Sequence, residues 1–286
     1  MNAKPTLDDA FVLYVADLQR RKRKTIKSIE AFYCNNIHDD LGHKKITSIK
    51  RLDVIKLFNK ISEDYPAKAN RFLKTLSAIY NLAVANEIAT TNICFGIKKN
   101  REIKRNRYYN EQELSRIIAV LRAREANRYN NASSIAAIKL LIYTGARKGE
   151  ILNANWSDLH GDTLVLKEHK TDDRDDSRVI RLNDQAMAVI NGLERKGAKI
   201  INTRYIDRFW QSVAKEAGCP DIHIHDLRHS FATFAFRSKK MSIEEVGNLL
   251  GHKSTQSTMR YTHITDDTAS QNAKVAGNEI FNSINV

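Results

Sequence analysis

The stretch HDLRHS, His225 to Ser230, sets two histidines at i, i+4 with an arginine, Arg228, between them. It lies one methylene from the HExxH zinc-hydrolase signature, with Asp226 where that pattern has glutamate. A hydrolytic zinc needs three protein ligands, an open position and a general base. Arg228 would place a permanent positive charge within one turn of such a metal. At roughly 5 Å and an effective dielectric of 20, each pair of like unit charges costs roughly 3 kcal/mol, and a divalent ion doubles this. That disfavours a metal, and no metal or other cofactor is expected. An anion makes better use of the same residues. His225 and Arg228, at i, i+3, share a helix face, and a guanidinium offers planar, bidentate, always-protonated donors to phosphate oxygens. His229 stays open between support of this cluster and an ordinary packed histidine satisfied by the backbone.

One arginine specifies little. Further groups follow along the chain that together would complete a phosphoryl-transfer site: Arg147 and Glu150 in TGARKGE, Lys170 in HKTDD, His252 in LGHKS and Tyr261 in TMRYTH. Each alone has an ordinary reading: a helix-terminal cation for Arg147, a surface helix residue for Glu150, an exposed hairpin lysine for Lys170, a core aromatic for Tyr261.

The elements that must position these residues are mostly helical. Leu7, Phe11, Tyr14, Val15 and Leu18 recur at helical spacing after a Thr6 cap. Similar patterns cover Ile26 to Phe32, Ile49 to Ile61 and the stretch from Pro66 to Val84. Four helices without a strand predict a small helical domain over residues 1–96. The segment GIKKNREIKRNR, rich in Lys and Arg, reads as an exposed basic linker over 97–108. Beyond it, Asn110 with Glu113 marks a helix start running to Arg122, and a second helix spans Ser133 to Tyr143. DTLVLKEHK and SRVIRL flank TDDRDD, predicting a two-stranded hairpin with an acidic tip. Helical patterns then cover Gln185 to Leu193, Thr203 to Ala217, His225 to Arg237 and Ser242 to Leu250, the last opened by a Ser242/Glu245 capping box.

Lys and Arg number 47 against 33 Asp and Glu, a net charge of +14, and residues 1–106 hold 21 basic against 11 acidic side chains. A field of that sign and placement attracts polyanions, nucleic acid first. The run Arg20, Arg21, Lys22, Arg23 and Lys24 is a candidate phosphate-contacting patch or simply a solvated helix end, and Lys98, Lys99, Arg101, Lys104 and Arg105 extend the basic surface. Three scattered cysteines without a CxxC suit a reducing compartment. No apolar run approaches a membrane span or a signal core, so a soluble, cytoplasmic protein without membrane contact is expected.

With these motifs in order, the sequence resembles the tyrosine recombinases of the phage integrase family. Arg147, Lys170, His225, Arg228, His252 and Tyr261 fall on that family's catalytic pattern, and the segments LGHKKITSIKRLDVIKLF and PAKANRFLKTLSAIYNLAV resemble the core-binding domain of prophage and genomic-island integrases. The resemblance implies a mainly α fold with a small antiparallel sheet in the catalytic domain, arranged as a two-domain C-shaped clamp on DNA. Residues 109–286 would form the catalytic domain, with a C-terminal tail from about 266 passed to a neighbouring subunit. It implies a site-specific recombinase that integrates or excises a mobile element without metal or ATP. Tyr261 would be the nucleophile, Arg147 and Arg228 the phosphate clamp, Lys170 the general acid in preference to Lys167, and His225 the proton acceptor. His252 would donate a hydrogen bond to phosphate, with Glu150 and His229 in support. The partners implied are double-stranded DNA attachment sites, a homo-tetramer on DNA formed from free monomers, and DNA-bending accessory proteins. Asp172, Asp173, Asp175 and Asp176 depart from the family's usual hairpin tip and put its DNA contacts in question. A type IB topoisomerase, a DNA-binding protein without catalysis and the zinc hydrolase are the rival readings.

Overall fold

A computed structural model of the chain describes residues 4–102, 107–127, 131–166, 177–238 and 241–252. The chain divides into two units, Met1–Arg105 and Asn106–Val286.

The first unit is helical. Helix α1, Leu7–Arg20, starts where Thr6 and Asp9 cap each other: the Thr6 side chain accepts from Asp9 N at 3.1 Å, and Thr6 N donates to the Asp9 carboxylate at 2.8 Å. Leu7, Ala10, Phe11 and Leu18 turn inward from it. Helix α2, Ile26–Tyr33, runs straight into a π-helical stretch, Cys34–Gly42, whose wider turn no 3.6-residue pattern announces. The Phe11 and Tyr33 rings stack there at 3.7 Å. Gly42 permits the close approach, because a Cβ would lie 2.4 Å from Asp8 Oδ1. Helices α3, Arg51–Asp64, and α4, Pro66–Ala85, pack side by side, and Phe72, Leu76, Ile79 and Tyr80 of α4 fill the centre. Each contributes about 1.5–3 kcal/mol of burial.

The segment expected to be a free tether is held to this unit through residue 102. Ile97 packs on the core, Asn100 and Asn70 exchange hydrogen bonds at 2.8 and 2.9 Å, and Asn70 also donates to Glu102 at 2.7 Å. Asn70 is buried, so leaving its amide unpaired would be costly, and the backbone of Asn100 supplies both its donor and its acceptor.

The second unit opens with Arg107 bound to Glu113 and Asp221, and with Tyr109 N donating to Ser230 Oγ at 2.7 Å. Helix α5, Glu111–Ala126, carries the expected Asn110/Glu113 capping box. Helix α6, Ala132–Thr144, is apolar almost all round and is the central element, contacting α5 and the later helices α7, Lys148–Asn153, α8, Asp184–Asn191, α9, Ile206–Glu216, and α10, Asp226–Arg237. Helix α11, Ile243–Leu250, packs on α10 through Val246, Leu250 and Ala232.

Among the described residues the sheet has three antiparallel strands where two were expected: β1, Leu159–His160, β2, Thr163–Leu166, and β3, Arg178–Arg181, in the order β1-β2-β3. Register pairs Leu164 with Ile180 and Leu166 with Arg178. Strand β1 is only two residues long and pairs through a turn at Gly161, too short to show alternation in the sequence. Among the described residues no helix is long and apolar enough to cross a membrane.

Candidate active site

The turn after α6, the start of α10 and strand β3 converge on the C-terminal end of α11. The first is the turn after α6. Gly145 ends that helix in the left-handed region at φ 62°, where a Cβ would lie 2.4 Å from the Phe231 ring. Two residues later Arg147 is the N-cap of α7, a helix the sequence did not announce. Glu150, buried in the first turn of α7, accepts from Arg147 N at 2.8 Å through Oε2 and from Arg147 Nη1 at 2.7 Å through Oε1. One carboxylate thus fixes both the backbone and the guanidinium of Arg147.

The second segment is the start of α10. His225 is the N-cap residue rather than the first helical one, and its ring stands edge-on to that of His229 with centroids 5.1 Å apart. Asp226 accepts from His223 N at 2.9 Å, so the carboxylate that resembled a zinc-hydrolase base helps to form the helix start. Among the described residues no group of three or more His, Cys, Asp or Glu is arranged to hold a metal. Arg228 is only 4% exposed, and it donates through Nη1 to Gly145 O at 2.8 Å and through Nη2 to Leu250 O at 2.7 Å.

They meet on α11. Its end closes in a Schellman turn with Gly251 at φ 68°: Gly251 N donates to Asn248 O at 3.0 Å and His252 N to Gly247 O at 2.9 Å. That turn leaves the carbonyls of Leu249, Leu250 and Gly251 open, and three guanidiniums occupy them. Arg178 Nη2 meets Leu249 O at 2.9 Å, Arg228 Nη2 meets Leu250 O at 2.7 Å, and Arg147 Nη2 approaches Gly251 O at 3.4 Å. The negative end of the helix dipole favours the same cations. His252 follows directly, its backbone fixed by the turn.

Arg178 was not anticipated from the sequence. It lies on the inward face of β3 with Ile180, and it is buried. Its Nε has no hydrogen-bond partner and sits 3.9 Å from Glu150 Oε1. Burial pushes this guanidinium below the ordinary arginine value, Glu150 pulls it up, and Arg147 pushes it down again. The signal was available: strand alternation puts residue 178 on the same side as Ile180 and Leu182, which makes it a charge on an apolar face.

Three guanidiniums at one helix end, two of them beside the single carboxylate of Glu150, leave a surplus of positive charge on rigid main-chain supports. Such an arrangement suits an oxyanion that gains charge during reaction, because donors already in place need no reorganisation. Arg147, Glu150, Arg228 and the backbone of His252 are therefore gathered in one place, with His225 and His229 at the start of the helix that carries Arg228. Lys170 and Tyr261 lie outside the described residues, as do Lys104, Arg105, the hairpin tip and the expected tail. On the first unit, Arg20 and Arg21 both pair with Asp17, at 2.6 and 3.1 Å, which offsets part of their charge. Lys22, Lys24, Lys98, Lys99 and Arg101 are exposed, and Arg23 is partly covered.

Residues 107–268 match the phage integrase family, and residues 13–100 match the phage integrase central domain. The chain belongs to the phage integrase family. This family member is 27% identical to a tyrosine recombinase of Thermosipho africanus over 90% of its own length and 95% of the relative's. It is 25% identical to the tyrosine recombinase XerC of Pediococcus pentosaceus, over 90% and 93%. Its fold is that of lambda integrase residues 75–356, solved as a dimer bound to a COC′ core site, with a TM-score of 0.71 at 21% identity over 88% of this chain and 96% of that one. The Tn1549 transposon integrase, solved with circular intermediate DNA, gives 0.68 at 18% identity over 94% and 99%. The phage integrase match and these recombinase relatives make the chain a tyrosine-type site-specific recombinase, an enzyme of DNA strand breakage and rejoining.

Proposed function

We propose that the chain cleaves one DNA strand at a time through Tyr261, forming a 3′-phosphotyrosine and releasing a 5′-hydroxyl, and then rejoins that phosphate to a new strand to integrate or excise a mobile element. A free phenol, with a pKa of about 10, is ionised in only about one molecule in a thousand at neutral pH, so attack needs a nearby base and a receptive phosphate. His225 takes the phenolic proton. Arg147 and Arg228 clamp the non-bridging oxygens, His252 donates to one of them, and Lys170 protonates the departing 5′-oxygen. The ester linkage to tyrosine stores the energy of the broken bond, so rejoining draws on no nucleotide. Glu150 holds Arg147 in register, and His229 packs against His225 in support.

The observation that carries this reading is the gathering of Arg147 and Arg228 on the open carbonyls at the end of α11, immediately before His252. The substrate is duplex DNA at paired attachment sites. Lambda integrase has been solved as a tetramer bound to a Holliday junction. By analogy this chain acts as a homo-tetramer on two duplexes, assembled from monomers and aided by DNA-bending proteins. The basic surfaces of the first unit, Lys98, Lys99 and Arg101 foremost, contribute phosphate contacts.

The test is trapping. A pool of nicked duplexes with randomised cores is incubated with the protein and resolved on a denaturing gel. A covalent protein–DNA band sensitive to protease, enriched for one sequence and mapped to Tyr261, is expected. Sequence-indifferent relaxation of supercoils would point to a topoisomerase instead, and binding without any adduct would overturn the proposal.

A further inference from the structure

The β3 arginine is a buried charge of this region that the proposed reaction does not use. Burying an ion is expensive, and a well-packed apolar residue of similar volume commonly serves a fold as well or better. Position 178 faces the same way as Ile180, so an aliphatic residue would suit the packing there. What the guanidinium does instead is join three elements. Nη1 donates to Val179 O at 2.8 Å within its own strand, Nη2 donates to Leu249 O at 2.9 Å at the end of α11, and Nε lies 3.9 Å from Glu150 Oε1 on α7. Gly251 leaves the space for it, since a Cβ there would lie 2.7 Å from the Arg178 Cζ.

We propose that Arg178 is a positioning residue for strand cleavage, holding Glu150 and the end of α11 so that the Arg147 guanidinium and the His252 backbone keep their register with strand β3. This rests on the reading that Arg147 and His252 act on the scissile phosphate. Without Arg178, Glu150 Oε1 serves Arg147 alone and the Leu249 carbonyl loses its partner. The Arg147 fork then gains freedom it would have to lose in the transition state. The chain leading from β2 to β3 also carries Lys170, and Arg178 ties the strand that follows it to α7 and to the end of α11.

The experiment is single-turnover cleavage of a nicked duplex at saturating protein. It compares wild type, Arg178→Gln, Arg178→Lys, Glu150→Gln and the Arg178→Gln/Glu150→Gln pair, with duplex affinity measured alongside. Arg178→Gln is expected to slow cleavage roughly 10- to 100-fold while affinity changes less than about threefold, because the group acts through donors aimed at the transition state. Arg178→Lys is expected to recover little, since an ammonium cannot span Leu249 O and Glu150 as a planar fork does. The double variant should be no more than about threefold slower than the slower single one, the signature of two residues working through one another. Multiplying losses, or cleavage by either Arg178 variant within about twofold of wild type, would overturn the proposal.

Hydrogen exchange supplies a second measurement that needs no DNA. The amides of Gly251 and His252 are expected to exchange about tenfold faster in whichever folded Arg178 variant is obtained, and unchanged protection would overturn the proposal. If the wild type itself gives no covalent adduct while these amides respond as expected, the recombinase reading of the site fails and the positioning contact stands.

Discussion

Arg228 and Gly145 are joined by a 2.8 Å hydrogen bond from a guanidinium that is 4% exposed to the carbonyl of a glycine in the left-handed region. Any side chain at 145 would meet both the unfavourable φ of 62° and the Phe231 ring. Gly145→Ala is expected to lose about 2–4 kcal/mol of stability, combining left-handed strain with overpacking. Urea unfolding of the variant measures it, and a loss under about 1 kcal/mol would show that the turn relaxes without cost.

Arg228→Lys keeps the charge and gives up the fork. With Gly145 O and Leu250 O no longer both reached, covalent adduct formation should fall about 10²- to 10³-fold while duplex affinity stays within a few fold. A gel-shift titration run beside the trapping assay separates the two effects.

Tyr261→Phe removes only an oxygen. Adducts should vanish completely and affinity for the same duplex should be nearly unchanged. Residual adducts in this variant would move the nucleophile to another residue.

Glu113 links Arg107, ahead of α5, to the first turn of that helix, accepting from Arg107 and from Asn110 N. The Arg107 hydrogen bond, followed by that from Asn110 N, holds its carboxyl below the ordinary glutamate value of 4.5, while burial opposes them. A depressed folded value means that its stabilisation is complete above pH 4.5 and is lost as pH falls through the lower folded pKa. Glu113→Gln should therefore lower the melting temperature near neutrality, by the equivalent of about 1–2 kcal/mol, and the difference from wild type should shrink at acid pH. A pH-independent gap in the melting curves would contradict the assignment.

Lys98 and Lys99 are exposed, whereas Arg20 and Arg21 share Asp17. Replacing both lysines with alanine should reduce the slope of log affinity against log salt by up to about 1.8, at about 0.9 per phosphate contact. Arg20→Ala should change it less. An unaltered slope for the lysine pair would take the DNA path elsewhere on the unit.

Much of the architecture was legible because local chemistry announces helix ends. Thr6 with Asp9, Asn110 with Glu113 and Ser242 with Glu245 open helices where the sequence places them. The π-helix at Cys34–Gly42 has no periodic signature, and α7 and β1 are too short to form one. The residue types at Arg147, Glu150, Arg228 and His252 suggested one cluster. Their acceptors did not, because Gly145 O, Leu250 O and Gly251 O are main-chain atoms present in every residue, and only the turn geometry opens them. Arg178 escaped notice because a charged strand residue is ordinarily read as facing water, whereas here Val179 does.

The acceptors at the end of α11 have an evolutionary corollary. An anchor made of peptide oxygens is blind to which side chains decorate the residues that bear it, provided the backbone still bends the same way. Leu249 and Leu250 can drift to other apolar residues while the guanidinium seats survive, so relatives differing at most positions can keep one electrostatic cradle, with glycine at 251 as the letter hardest to change.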